Sequence, residues 1–163
     1  MTAAQLLPTR NDLGADVREK ATALLNQQLA DSTDLYSQTK HAHWNVKGMH
    51  FLQLHELFDT LAESLEEYAD LIAERATALG GTACGTVRLS AAASRLPEYP
   101  VDARDGRQHV EALAKRFSML AASSRAAIDT ASGIGDADTA DVFTEVSRGL
   151  DKHLWFLESH LTD

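Results

Sequence analysis

His55, Asp59, Asp70 and Glu74 fall on one face of a single helical stretch. Imidazole together with carboxylate is a donor set that suits iron and zinc alike. Along a helix rising 1.5 Å per residue, His55 and Asp70 stand about 22 Å apart, whereas ligand atoms lie about 2 Å from a metal ion. One copy of the chain therefore cannot close this set around one ion. If the stripe binds metal, a second copy must complete the site, at a subunit interface. One histidine and three acids are also the ordinary make-up of a solvated helix face, and spacing alone leaves both readings open.

The elements that must carry these residues follow from hydrophobic periodicity. Phe51, Leu54, Phe58, Leu61, Leu65, Tyr68, Ile72 and Leu79 mark one apolar seam on a helix from about His50 to Leu79, roughly 145° around from the ligand stripe. Gly80 supplies a left-handed stop. An earlier helix is expected after Asn11-Asp12, capped by either residue, with a seam through Val17, Ala21, Leu24, Gln28, Leu35, Thr39 and Val46. The short Val46–His50 link makes the two an antiparallel hairpin, which brings His43 towards His55. Asp70 and Glu74, one turn apart, form a carboxylate pair at the other end. Leu52, Ala62 and Ala73 share the ligand face, as a surface covered by a neighbour would require. A two-fold axis laying two such helices antiparallel would set His43 and His55 of one subunit against Asp70 and Glu74 of its mate.

A long connection holding Pro97 and Pro100 follows, with a short helix expected over Ser90–Leu96. A third long helix is expected over about Gly106–Ala131 and a fourth from Asp136–Thr139 onward. The fold class is all-α: a four-helix bundle of ferritin-like connectivity, with a short helix in the crossover between its second and third long helices. The expected organisation is a short tail over 1–11 and one bundle domain over 12–163. No Glu-x-x-His occurs, so the usual di-iron site inside such a bundle is not expected. Asp138, Asp141 and Glu145 share one face at the start of the fourth helix, where helix capping competes with a cation-focusing role. His153 reads as a satisfied core histidine, and Cys84 as a small packed side chain after the glycine pair.

The single cysteine excludes an intrachain disulfide and fits a reducing, cytoplasmic setting. No apolar run approaches membrane-spanning length, and a net charge of −9 disfavours general nucleic-acid affinity.

The stretch Thr39–Gly48, containing His43-Trp44-Asn45, then His55–Asp59 and Asp70–Arg75, closely resembles the Dps family, the mini-ferritins known as DNA-binding proteins from starved cells. Thr139–Asp141 and Leu150–Leu157 resemble that family's last helix, so the likeness covers nearly the whole chain after residue 10. The resemblance implies a hollow homo-dodecamer with ferroxidase centres at its two-fold interfaces. His43, His55 and Asp59 match ligands from one subunit, and Asp70 and Glu74 match those of its partner. The implied reaction oxidises Fe²⁺ to Fe³⁺ with hydrogen peroxide in preference to O₂, stores ferric mineral and so protects DNA.

Further roles follow from that resemblance. Glu74 would bridge two irons, while Asp59 would hold a second, weaker iron or orient a ligand through water, so the centre is mono-iron or di-iron. Zn²⁺ could replace iron. Lys40 could weaken the second position by pairing with Asp59, or simply face solvent. Trp44 and Trp155 match family tryptophans near the centre, which implies sinks for stray oxidising equivalents; plain core or interface packing is the competing role. Asp141 and Glu145 would line an iron-entry pore. DNA binding in this family rests on a lysine-rich tail, whereas residues 1–11 hold only Arg10 as a charged side chain that is basic. DNA binding is accordingly expected to be weak, and nucleoid association to depend on it.

Overall fold

The computed structural model describes residues 6–162. Among them the chain forms α1 (Ala15–Asn45), α2 (Phe51–Ala78), α3 (Val87–Ala93), α4 (Gly106–Gly133) and α5 (Ala137–Glu158). The long helices pair as two antiparallel hairpins, α1 with α2 and α4 with α5, joined by the crossover that carries α3. The core runs between them through Leu25, Leu35, Phe58, Leu65, Phe117, Phe143 and Leu150. Of the expected tail, residues 1–5 lie outside the described residues. Within the remainder, Leu7 N–H donates to the Gly80 carbonyl at 2.7 Å. Gly80 has φ +83, and a Cβ there would stand 2.5 Å from the Leu7 carbonyl oxygen. Glycine is thus required twice, by conformation and by close approach.

Several local expectations are corrected. Neither Asn11 nor Asp12 caps α1. Gly14 does, without a side-chain bond, because the Asn11 carboxamide is used by Leu13 N–H in a turn of its own. Leu25 and Leu29 are buried in α1 while Leu24 is only partly so, because α2, α3 and α4 all pack on this helix and widen its buried face. Phe51, in the first turn of α2, overhangs the end of the bundle and is 43% exposed. The crossover helix begins earlier than expected, where the Thr86 hydroxyl caps Leu89 N–H. It ends at Ser94, which donates to Asp34. Pro97 disfavours helix at Leu96. Cys84 is only partly buried, with its backbone N–H held by Asn26.

Three sets of polar contacts fix the crossover and the far end of α2. Arg95 grips the buried Asp31. Arg116 of α4, itself buried, donates to Gln38 of α1 and to the Glu98 carbonyl. Arg75 reaches from α2 to Asp136, the cap of α5, at 2.7 Å. No helix among the described residues is long and apolar enough to cross a membrane.

Candidate metal centre

The α1–α2 turn is closed by Gly48 at φ +115 and by Phe51 N–H bonding to the Gly48 carbonyl. This tight reversal stacks the His43 and His55 rings, with centroids 3.7 Å apart and planes 21° from parallel. The Nδ1 of His43 lies 2.8 Å from the His55 carbonyl oxygen, and the Nδ1 of His55 lies 2.9 Å from the His43 carbonyl oxygen. A carbonyl can only accept, so each Nδ1 carries the proton and each neutral ring keeps its lone pair on Nε2. A backbone carbonyl on the other ring nitrogen is how a metal-ligating histidine is commonly held. The turn thus orients two imidazoles side by side with their Nε2 atoms left as donors that could hold a cation.

Asp59 stands one turn beyond His55. Lys40 lies 2.5 Å from its carboxylate, and His43 Nδ1 lies 3.8 Å away. The Lys40 hydrogen bond holds the Asp59 carboxyl below the usual carboxylate range; burial opposes this, and the electrostatic pull of His43, Lys40 and His55 adds to it. The ammonium therefore occupies one oxygen of this carboxylate. Trp44, adjoining His43, is 66% exposed, and Met49, Phe51 and Leu52 add further exposed apolar surface around the turn.

The far end of α2 is different. Asp70 and Glu74 are exposed, and among the described residues neither carboxylate has a hydrogen bond or ion pair. No three His, Cys, Asp or Glu side chains converge among the described residues of one protomer. The structure thus stacks His43 on His55, pairs Asp59 with Lys40 beside them, and leaves Asp70 and Glu74 apart. Of the three apolar residues expected beside the ligands, Leu52 is exposed and Ala73 partly buried, but Ala62 faces inward and is buried in its own bundle. On α5, Asp141 and Glu145 are exposed. Asp136 caps the helix through Thr139, and Asp138 lies 3.6 Å from Arg75.

His153 is buried as expected but not satisfied. Its Nδ1 has no partner among the described residues, because the ring lies among Tyr68, Phe117 and Phe156. Trp155 is 63% exposed rather than part of the protomer core. A buried pairing went unforeseen: the Tyr99 hydroxyl lies 2.6 Å from Nδ1 of His109. Nothing in the spacing of a loop tyrosine and a histidine in the first turn of α4 announces that contact.

The class of protein is shown by comparison with known families. A Ferritin-like domain model matches residues 22–163. A DNA protection during starvation protein from Agrobacterium fabrum is 43% identical over 95% of this chain and 96% of its own length. The solved structure of DpsC from Streptomyces coelicolor superposes with a TM-score of 0.93 at 30% identity, covering 98% of this chain and 93% of that one. A DPS protein from Vibrio cholerae O1, described as a member of a superfamily of ferritin-like diiron-carboxylate proteins, gives 0.89 at 26% identity, over 98% and 100% of the two chains. The chain is a ferritin-like protein. Within that class it belongs to the Dps family.

Proposed function

We propose that this protein is a ferroxidase and iron-storing mini-ferritin. It oxidises Fe²⁺ with hydrogen peroxide in preference to O₂, at centres shared between two protomers of a dodecameric shell. The observation that carries this reading is the reciprocal locking of His43 and His55, which leaves both Nε2 lone pairs unclaimed at the turn of the hairpin. His43 and His55 bind the ferrous substrate as neutral donors, so affinity falls in acid. Asp70 and Glu74 of the facing protomer supply hard anionic oxygens that favour the ferric product. Asp59 holds the second, weaker position against competition from Lys40. Asp141 and Glu145 draw cations inward at a pore.

Consuming iron and peroxide together would protect DNA by removing the reagents of hydroxyl-radical chemistry, in keeping with the name carried by the Agrobacterium relative. Direct DNA coating is the second reading. The charge of −9 counts against it. The test is to add Fe²⁺ anaerobically to the iron-free protein, then peroxide, and to follow ferric absorbance. His43→Ala combined with His55→Ala should lower the initial rate by about 100-fold or more, because disturbing even an outer partner of a metal ligand costs about 10–100-fold. Equal rates in the two proteins would remove the catalytic reading.

A further inference from the structure

We infer that Tyr99 and His109 form a second redox site: a buried phenol–imidazole pair that quenches one-electron oxidants escaping the iron chemistry. This rests on the ferroxidase reading for the source of the oxidant but not for the chemistry of the pair.

Both side chains are buried, Tyr99 at 7% exposure and His109 at 0%. The hydroxyl-to-Nδ1 distance is 2.6 Å. The other ring nitrogen, Nε2, is buried with no hydrogen-bond partner among the described residues. Nδ1 is the only acceptor that the Tyr99 hydroxyl meets among the described residues, so the ring proton belongs on Nε2 and Nδ1 accepts. The Tyr99 hydroxyl is thus the donor. Burial pushes its phenol well above the usual range, against the pull of Arg116, so the group stays protonated. Burial also pushes the His109 imidazole down, helped by His41 and opposed by Asp105 and the Asn45 carbonyl, so the ring is a neutral base.

A phenol with a base already aligned can lose its proton as it loses an electron. A phenol without one is left as a strongly acidic radical cation. The sequence contains three tyrosines, and among the described residues only Tyr99 has its hydroxyl on an imidazole. Arg116, 5.2 Å above the Tyr99 ring, makes oxidation harder. The pair is therefore set for strong one-electron oxidants, radicals rather than peroxide itself.

Access and placement fit. An open depression of about 470 Å³ on this side of α1 is lined by Tyr99, His41 and Gln38. The His41 ring meets Tyr99 edge-on at 5.1 Å, whereas His43 stacks on His55. Two residues apart, these side chains leave α1 in directions about 200° apart. The redox pair and the imidazole half-site therefore flank one helix, whose full width is about 10–12 Å.

The step balances. A hydroxyl radical takes one electron from Tyr99 and becomes hydroxide. The phenolic O–H bond breaks, and the proton forms a new N–H bond at Nδ1 of His109, giving a neutral phenoxyl radical beside an imidazolium. Fe²⁺, the protein's own substrate, returns one electron and becomes Fe³⁺ while His109 returns the proton.

Two arms test this. In the first, azide radicals generated by pulse radiolysis oxidise iron-free protein. A phenoxyl absorbance should form in the wild type, be lost in Tyr99→Phe, and be lost or strongly slowed in His109→Gln, with folding checked by circular dichroism. In the second, Fe²⁺ and excess peroxide are mixed and freeze-quenched for electron paramagnetic resonance. The phenoxyl signal should vanish in Tyr99→Phe while hydroxyl radical captured by a spin trap rises and ferric formation keeps its rate. An undiminished phenoxyl signal in Tyr99→Phe, in either arm, overturns the inference. Failure of ferric formation in the wild type would sink the ferroxidase reading alone, since the first arm contains no iron.

Discussion

The two ends of α2 are built on opposite plans. At the start, His55 is bonded to the backbone of α1, stacked on His43 and followed by an Asp59 that is paired with Lys40. At the other end Asp70 and Glu74 project from the surface without partners among the described residues. Neutral imidazole has two distinct nitrogens, and fixing one to a carbonyl orients the other, so a nitrogen half-site can be prepared inside one protomer. Carboxylates are better left hydrated until a cation arrives, because burying an unpaired charge is expensive. The contrast teaches that assembly, rather than folding, would complete the centre.

The sharpest way to break this comparison is to separate the two halves genetically. Asp70→Asn with Glu74→Gln should abolish ferric formation as fully as loss of the histidines, without affecting protomer stability by more than about 0.5 kcal/mol, as for surface changes. Co-assembling that variant with the His43→Ala, His55→Ala variant should restore about a quarter of wild-type activity. Random pairing makes half the dimers mixed, and each mixed dimer has one intact site of two. No recovery on mixing, measured as initial rate per iron-free assembly, would place the acids and imidazoles in separate sites.

A second change should loosen only the acid end. Arg75 adjoins Glu74 and is tied to Asp136, which is 1% exposed. Asp136→Ala takes the buried carboxylate from that guanidinium, leaving it Asp138 and Thr139, and removes the α5 cap, so urea unfolding should show a loss of about 3 kcal/mol, the low end for breaking a buried pair. Burial pushes the Asp136 carboxyl up, but bonds from the Thr139 hydroxyl and N–H, with Arg75, hold it below its ordinary 3.8 overall. A lowered carboxyl stabilises the fold above that ordinary value and ceases to do so as pH falls through the folded one. The wild type should therefore lose this contribution progressively below pH 3.8, and Asp136→Ala should show a shallower acid dependence there.

The smallest expected effect concerns Lys40. Its pair with Asp59 is partly exposed, and such pairs are worth about 1 kcal/mol or less. Lys40→Met should tighten binding of a second Fe²⁺ by no more than about fivefold in an anaerobic titration. Unchanged stoichiometry and affinity would mean that the ammonium does not compete with metal.

Much of this was legible in the chain because helices write their faces locally. The apolar seam through Leu54, Phe58, Leu61, Leu65 and Ile72 is buried, and Gly80 ends the helix in the left-handed region. The closeness of His43 and His55 followed from a turn too short for any other arrangement. Phe51 departed because periodicity registers a face and not where the bundle stops. His153 departed because a buried position does not guarantee a partner.

The amino-acid order by itself determined five helices, two hairpins and a ligand stripe too long for one ion, since each depends on residues within a few turns of one another. Only the tertiary structure decided which nitrogen of each imidazole is bare, that Lys40 holds Asp59, and that Tyr99 meets His109. Those outcomes turn on distances of a few ångströms between side chains of different elements, set by packing and carrying no period that a sequence could display.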